Sequence, residues 1–391
     1  MEHVAITANN RPIHEIPVGY ENDRSDESER LTISFYENQV PPYVEAEMER
    51  LYECVYTTVA RFRIYDACGN ISTYVVRKGE KIITIFLFEV NRRKVKVLNE
   101  QIKMDEEDIW RFATSIFSRF KFVTSISFWA IQTAIRLSPF PHQQSYCLEE
   151  IVVSLPGTVE EYFSKFSKNM RNNIKKYSTN RIKRDFPSFS YQVYTKENIN
   201  PQHIKDIIAL SSARMATKNK AAYVSEEETE RIIQLVQIYG LAGVATIDGR
   251  VCAGLIFYGV GTYYFMHIIA HDPKYDSYRL GTACYYLGIC ECIKRGGIEC
   301  RLMGSSHQYK FDFLGVRMGF DHLVVYRSYA YFLLDAYRII KAAFKSNLFL
   351  TRLWLLHAER QSGFLSQSVA ICLRNLRRLK RSRYNFLTRP K

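Results

Sequence analysis

The chain has 391 residues, 47% of them hydrophobic and 24% charged, proportions that exclude a disordered or collagen-like protein. Its 54 Lys and Arg against 40 Asp and Glu leave a net charge of +14, which favours polyanionic partners or an anionic membrane surface. Nine scattered cysteines do not make a disulfide framework and fit a reducing compartment, and no apolar run is long enough to span a bilayer.

Residues 1–30 are polar and charged and read as a flexible tail without the basic start and apolar stretch of a secretory signal, so a cytoplasmic protein is expected. Structure is expected from Leu31. Residues 31–36 read as a strand, 41–55 as a helix opened by prolines, and 61–98 as three or four β segments punctuated by turns at Cys68-Gly69-Asn70 and Lys78-Gly79-Glu80. Ile109, Phe112, Ile116 and Phe120 recur at helical spacing over 105–120, and a strand follows over 122–131. The order is β-α-β-β-β-α-β.

A basic stretch comes next. Over 161–185 a helix is expected, with Lys168, Arg171 and Lys175 on one face by i, i+3, i+7 spacing, either a solvated linker or a phosphate-facing surface. The first order then returns. Residues 190–194 read as a strand, 201–215 as a helix, 241–247 and 251–258 as strands joined at Asp248-Gly249, and 263–270 as a further strand. A helix over 281–295 ends at Gly296-Gly297, 299–303 is a short strand, and 323–326 closes the sheet. Two α/β units of similar order imply a duplicated architecture. The expected boundaries are a tail (1–30), an N-terminal unit (31–150), a C-terminal catalytic unit (151–330) and a basic helical extension (331–391). Cys290 and Cys292 read as packing on the 281–295 helix, and no metal site is expected.

Between the strand at 263–270 and the helix at 281, small residues meet a helix start. Exposed N–H groups and the positive end of the helix there would attract a phosphate that Gly281, Thr282 and Ala283 let approach, and a plain N-cap turn gives the same pattern.

Asp272-Pro273-Lys274-Tyr275, Tyr278-Arg279-Leu280-Gly281, Gly296, Met303-Gly304, Tyr309-Lys310-Phe311 and Met318-Gly319-Phe320 occur in order over roughly 150–330. In this, and in the basic helix Lys168 to Lys176, the chain resembles the GNAT acetyltransferase superfamily, specifically the CelD-type acyltransferases of bacterial cellulose and exopolysaccharide, akin to FemAB-like proteins. The resemblance implies a tandem GNAT-like α/β fold of mixed sheets flanked by helices. It implies acetyl-CoA or another acyl-CoA as co-substrate, held by Arg279, Gly281, Thr282 and Ala283, and a small-molecule or glycan-precursor acceptor met by Lys310, Tyr278, Arg171 and Lys175. Two positions depart from the superfamily: Tyr278 stands where Gln or Arg is usual, and Gly315 stands where the usual Tyr acid would be, leaving Tyr309 as its nearest substitute.

Acyl transfer from a thioester needs a neutral amine, donors for the developing oxyanion and an acid for the leaving thiolate. Backbone N–H groups near 265–268 are the expected oxyanion donors, His267 or Asp272 the base and Tyr309 the acid. Ser305-Ser306 and His307 lack a partner at hydrolase spacing, and there is no Gly-x-Ser-x-Gly. Two alternatives stand beside the acyl-CoA reading: aminoacyl transfer from charged tRNA in the FemAB manner, favoured by the charge and the basic helix, and a non-catalytic scaffold, favoured by Gly315.

Residues 331–356 read as a helix with Arg338, Lys341, Lys345 and Arg352 along one face, followed by Arg374, Arg377, Arg378, Lys380, Arg381 and Arg383. The pattern fits either a helix packed on the N-terminal unit or peripheral attachment to the inner face of an anionic membrane.

Overall fold

In a computed structural model that describes residues 14–17, 30–65, 70–177, 180–216, 224–304 and 307–358, the chain opens with two antiparallel strands, β1 (His14–Pro17) and β2 (Leu31–Tyr36). Part of the expected tail is therefore an edge strand. Next come α1 (Tyr43–Tyr52), α2 (Val59–Tyr65), β3 (Ile71–Lys78), β4 (Lys81–Asn91), β5 (Lys94–Val97), α3 (Glu106–Arg119) and β6 (Ser125–Ile131). β7 (His142–Ser154) leads into three short helices, α4 (Val159–Ser164), α5 (Lys168–Tyr177) and α6 (Asn180–Asp185). The second half has β8 (Ser190–Thr195), α7 (Pro201–Ala216), α8 (Glu226–Tyr239), β9 (Gly240–Ile247), β10 (Arg250–Val260) and β11 (Tyr263–His271). It closes with α9 (Leu280–Lys294), β12 (Glu299–Arg301), α10 (Gln308–Asp312), β13 (Val316–Tyr326), α11 (Tyr329–Leu334) and α12 (Ala336–Ala358).

Several expectations change. Residues 61–65, read as β, are helical because Thr58 starts a turn there: its carbonyl accepts from Phe62 N (3.2 Å) and its hydroxyl from Arg61 N (3.3 Å). Thr158 and Ser167 each accept from a backbone N–H three residues on, at Glu161 and Met170, and so divide the basic stretch into separate helices. The Asp248-Gly249 hairpin is as expected, both residues having the positive φ (49° and 74°) that a two-residue turn of matching twist requires.

The described strands form one sheet in the order β1-β2-β3-β4-β5-β6-β13-β7-β12-β11-β10-β9-β8. Only β5 with β6 and β11 with β12 run parallel. The order is a near-palindrome about the long β7–β13 ladder, which places the last strand of each half inside the other half. This is the tandem GNAT-like α/β fold, with both units in one sheet. The expected boundary after residue 150 falls inside β7, and the last strand, expected to close the sheet, lies at its centre.

One apolar cluster runs through both halves, from Phe35, Tyr74, Phe86 and Phe112 to Ile204, Ile256 and Phe265. Polar clamps fix the halves to each other: Glu53 accepts from Thr262 N (2.9 Å) and Oγ1 (2.7 Å), and Tyr65 donates to Glu228 (3.0 Å). No helix among the described residues is long and apolar enough to cross a membrane.

Candidate active site

The site grows out of the parallel pair in the second half. β11 pairs with β12 only over Tyr263 to Phe265, opposite Glu299 to Arg301, and then continues to His271 held by β10 alone. A wedge opens between the two parallel strands, and the edge of β11 facing it has backbone groups with no strand partner among the described residues. Within that stretch β11 carries a bulge: Phe257 faces Met266 and Ile256 faces Ile268, so His267 is the extra residue. The bulge reverses the alternation of faces. Tyr264 and Met266 pack toward α9 before it, and Ile269 does so after it, whereas Phe265 and Ala270 lie on the opposite core.

A cavity of about 360 Å³ lies in the wedge. Ile269 and His271 of β11 line it, with Arg279, Gly281, Thr282 and Tyr285 at the start of α9, Asp276 of the preceding turn, Tyr309 of α10, Phe313 just after it, and Arg214 of α7. The first turn of α9 has no acidic residue and no side-chain cap, so its N–H groups are available to an anion. Gly281 is required by close approach, since a Cβ there would stand 2.9 Å from His271 Nδ1. Arg279 takes a left-handed conformation (φ 50°, ψ 42°) that joins the turn to the helix.

His271 is the group that sequence reasoning missed. Its Nε2 lies 2.8 Å from Asp276 Oδ1. In the neutral ring this contact assigns the proton to Nε2, since a carboxylate oxygen accepts, and leaves the lone pair on Nδ1. Nδ1 is buried and has no hydrogen-bond partner. Strict alternation along β11 would send residue 271 to the other face, and only the bulge at His267 brings it round.

Of the expected acid-base groups, Tyr309 is in the cavity. It is 41% exposed, stands edge-on to Tyr285 (5.4 Å between ring centroids), and burial raises its pKa against the pull of Arg214, so it holds its proton at neutral pH. Tyr285, also missed from sequence, is buried with an unpartnered hydroxyl, and burial raises its pKa too. His267 and Asp272 are elsewhere. The His267 ring packs 5.3 Å from that of Tyr258, and burial, followed by the charge of Arg61, holds its pKa down to about 4. Asp272 caps the turn over Pro273 to Tyr278 by accepting from Lys274 N (2.9 Å).

The expected binding residues divide as well. Arg279, Gly281 and Thr282 line the cavity, while Ala283 is buried and gives its N–H to the Arg279 carbonyl (3.1 Å). Lys310 is buried and donates to the carbonyls of Leu302 (2.7 Å), Met303 (3.0 Å) and Gly304 (2.7 Å). Its three protons tie down the loop after β12 instead of meeting an acceptor. Tyr278 donates to Asp185 (3.0 Å) with Arg181 over its ring (5.4 Å), Arg171 donates to the Ser164 carbonyl (2.9 Å), and Lys175 lies over Phe163 (5.7 Å). None of these three lines the cavity. Ser305 and Ser306 lie outside the described residues.

Residues 164–311 match the family described as Acetyltransferase (GNAT) domain. Among solved structures, FemX is 7% identical, with 72% of this chain and 96% of that one covered at a TM-score of 0.54, a likeness of fold. A tandem GNAT protein from the clavulanic acid biosynthesis pathway is 9% identical (75% and 98% covered, TM-score 0.38), and L-PGS from Bacillus licheniformis is 11% identical (80% and 97%, TM-score 0.43). No curated protein matches the chain.

Proposed function

We propose that the chain is an acyltransferase that moves an acetyl or other acyl group from acyl-CoA to an amine in the wedge beside β11. The observation that carries this reading is the His271–Asp276 pair, set beside an uncapped helix start and facing Tyr309 across one cavity. The residues fit the donor: the α9 N–H groups and Arg279 would hold its pyrophosphate, and the unpartnered Tyr285 hydroxyl offers a hydrogen bond along the cavity wall.

His271 Nδ1 takes the proton of the attacking amine as its nitrogen bonds to the thioester carbon. Backbone N–H groups along the unpaired edge of β11 receive the oxyanion. The C–S bond then breaks and Tyr309 protonates the thiolate. The resemblance to CelD-type acyltransferases supports an acceptor of the glycan-precursor class.

A second reading, an aminoacyl-tRNA donor, rests on the basic helices. Tyr278 ties α6 to the turn that carries Asp276, so Arg181, Lys183 and Arg184 border the approach to the cavity in a chain of net charge +14. Melting the protein with acetyl-CoA, CoA and charged tRNA tests both, because a ligand bound only by the folded state raises the midpoint. A rise with acetyl-CoA and turnover lost in His271→Ala supports the first reading. A rise with charged tRNA alone supports the second, and no response to either overturns both.

A further inference from the structure

Helix α12 presents three different faces. Toward the sheet it turns Ile339, Ala342, Ser346, Phe349 and Leu353, at i, i+3, i+7, i+10 and i+14, with Phe349 stacked on Tyr146 (5.7 Å) and the Ile339 carbonyl accepting from Gln143 (2.9 Å). The opposite face is apolar and open. Tyr337, Ile340, Phe344 and Leu348 are 74%, 68%, 67% and 61% exposed, and Leu333 and Leu334 of α11 extend the patch at 69% and 81%. On one flank, between the two faces, stand Arg338, Lys341 and Lys345, all exposed.

Single exposed apolar residues need no explanation, but a contiguous stripe of long aliphatic and aromatic side chains along two helices does. We propose that α11 and α12 seat the protein on an anionic lipid bilayer, with the apolar stripe among the acyl chains just below the headgroups and the cationic flank at phosphate level. A helix with aromatic and aliphatic residues on one face and Lys and Arg beside them lies in that plane. Charge decides against a second copy as occupant. A symmetric pairing of these stripes would bring Lys341 and Lys345 toward their own counterparts in a chain of net charge +14, whereas a leaflet of phosphates neutralises them. The sequence that follows the helix continues the basic character with Arg374, Arg377, Arg378, Lys380, Arg381 and Arg383, residues outside the described part.

The test is co-sedimentation of the full chain with vesicles of phosphatidylglycerol and phosphatidylcholine, beside vesicles of phosphatidylcholine alone. Binding is expected to the mixed vesicles only and to weaken as salt rises. The double variant Ile340→Asp, Phe344→Asp should lose that binding at least tenfold, with its melting temperature unchanged because both side chains face solvent. Lys341→Glu with Lys345→Glu should lose it as well. Undiminished sedimentation of the aspartate variant overturns the proposal. So does a fall of several degrees in its melting temperature, which assigns the stripe to cover by the chain's own residues, or a dimer in lipid-free solution that the variant dissociates, which assigns it to a second copy.

Discussion

The two halves of the sheet repeat one topology, yet they treat the gap beyond their parallel strands in opposite ways. In the second half β11 and β12 part after Phe265 and Arg301 and leave the cavity. In the first half the corresponding gap beyond β5 and β6 is laced shut: Gln101 N donates to Ala130 O (2.7 Å), Gln132 N to Ile102 O (2.9 Å) and Met104 N to Gln132 O (2.9 Å). The crossover helices differ in the same sense. α3 begins with Glu106, Glu107 and Asp108, which complement its dipole and repel an anion, while the first turn of α9 carries no acid. The first half does have a more open depression of about 620 Å³ at the α3 start, and its lining mixes Asp105, Glu106 and Glu107 with Lys103 and Arg136. Topology thus supplies two equivalent frames that differ in a handful of residues at the strand end and helix start, and under the proposed function these residues decide which frame receives a ligand.

The largest expected effect comes from removing His271, the proposed base of the second half. His271→Ala should lower kcat by roughly 10³-fold with the fold intact, while Asp276→Asn, which only orients the ring, should cost less. Single-turnover assays with acetyl-CoA check this, and activity within a few-fold of the parent would remove the distinction between the halves. Tyr309→Phe deletes only a hydroxyl and should lower kcat by about 10²-fold with stability unchanged, read in the same assay.

A third prediction tests the seam where the halves share strands. Glu150 of β7 is buried near Arg301 (3.8 Å), and burial raises its pKa to about 7 against the pull of Arg301. The folded chain therefore holds a proton that the unfolded chain releases near pH 4.5, so this group's contribution to stability falls as pH rises from about 4.5 to 7 and is level above. Glu150→Gln should match the parent at the acid end and exceed it by about 3 kcal/mol near pH 8. Urea melts at the two ends of that window measure it, and a gap that does not widen with pH would show Glu150 ionised throughout.

The smallest effects exchange the two helix starts. Thr282→Glu gives α9 the acid that α3 already has and should weaken acetyl-CoA about tenfold, since one charge at a helix N-terminus is worth roughly 1 kcal/mol or somewhat more when partly buried. Glu107→Gln, at the closed frame, should leave the same titration unchanged.

Much of this was legible in the sequence. The duplicated order, the Asp248-Gly249 hairpin, the helix beginning near Gly281 and the place of Tyr309 beside it all follow from periodicity, turn chemistry and family resemblance. Local patterns did not carry what depends on partners distant in the chain. β7 and α8 were not read, and β13 was read only as a short strand closing the sheet because its central place depends on residues nearly two hundred positions away. Nothing local distinguished His271 from His267, which strict alternation puts on one face; the bulge leaves His267 on the Phe265 side and turns His271 to the cavity. Lys310 looked like a ligand group because it is a cation next to Tyr309, and nothing local showed that three carbonyls of its own loop would take its protons.

The central claim is that the open frame of the second half, and not the closed frame of the first, binds the activated donor. Calorimetric titration of acetyl-CoA into the full chain and into Thr282→Glu and Glu107→Gln tests it most directly. The account predicts one site per chain, weakened about tenfold by Thr282→Glu and untouched by Glu107→Gln. Equal binding by the parent and Thr282→Glu, or loss on Glu107→Gln alone, would contradict it.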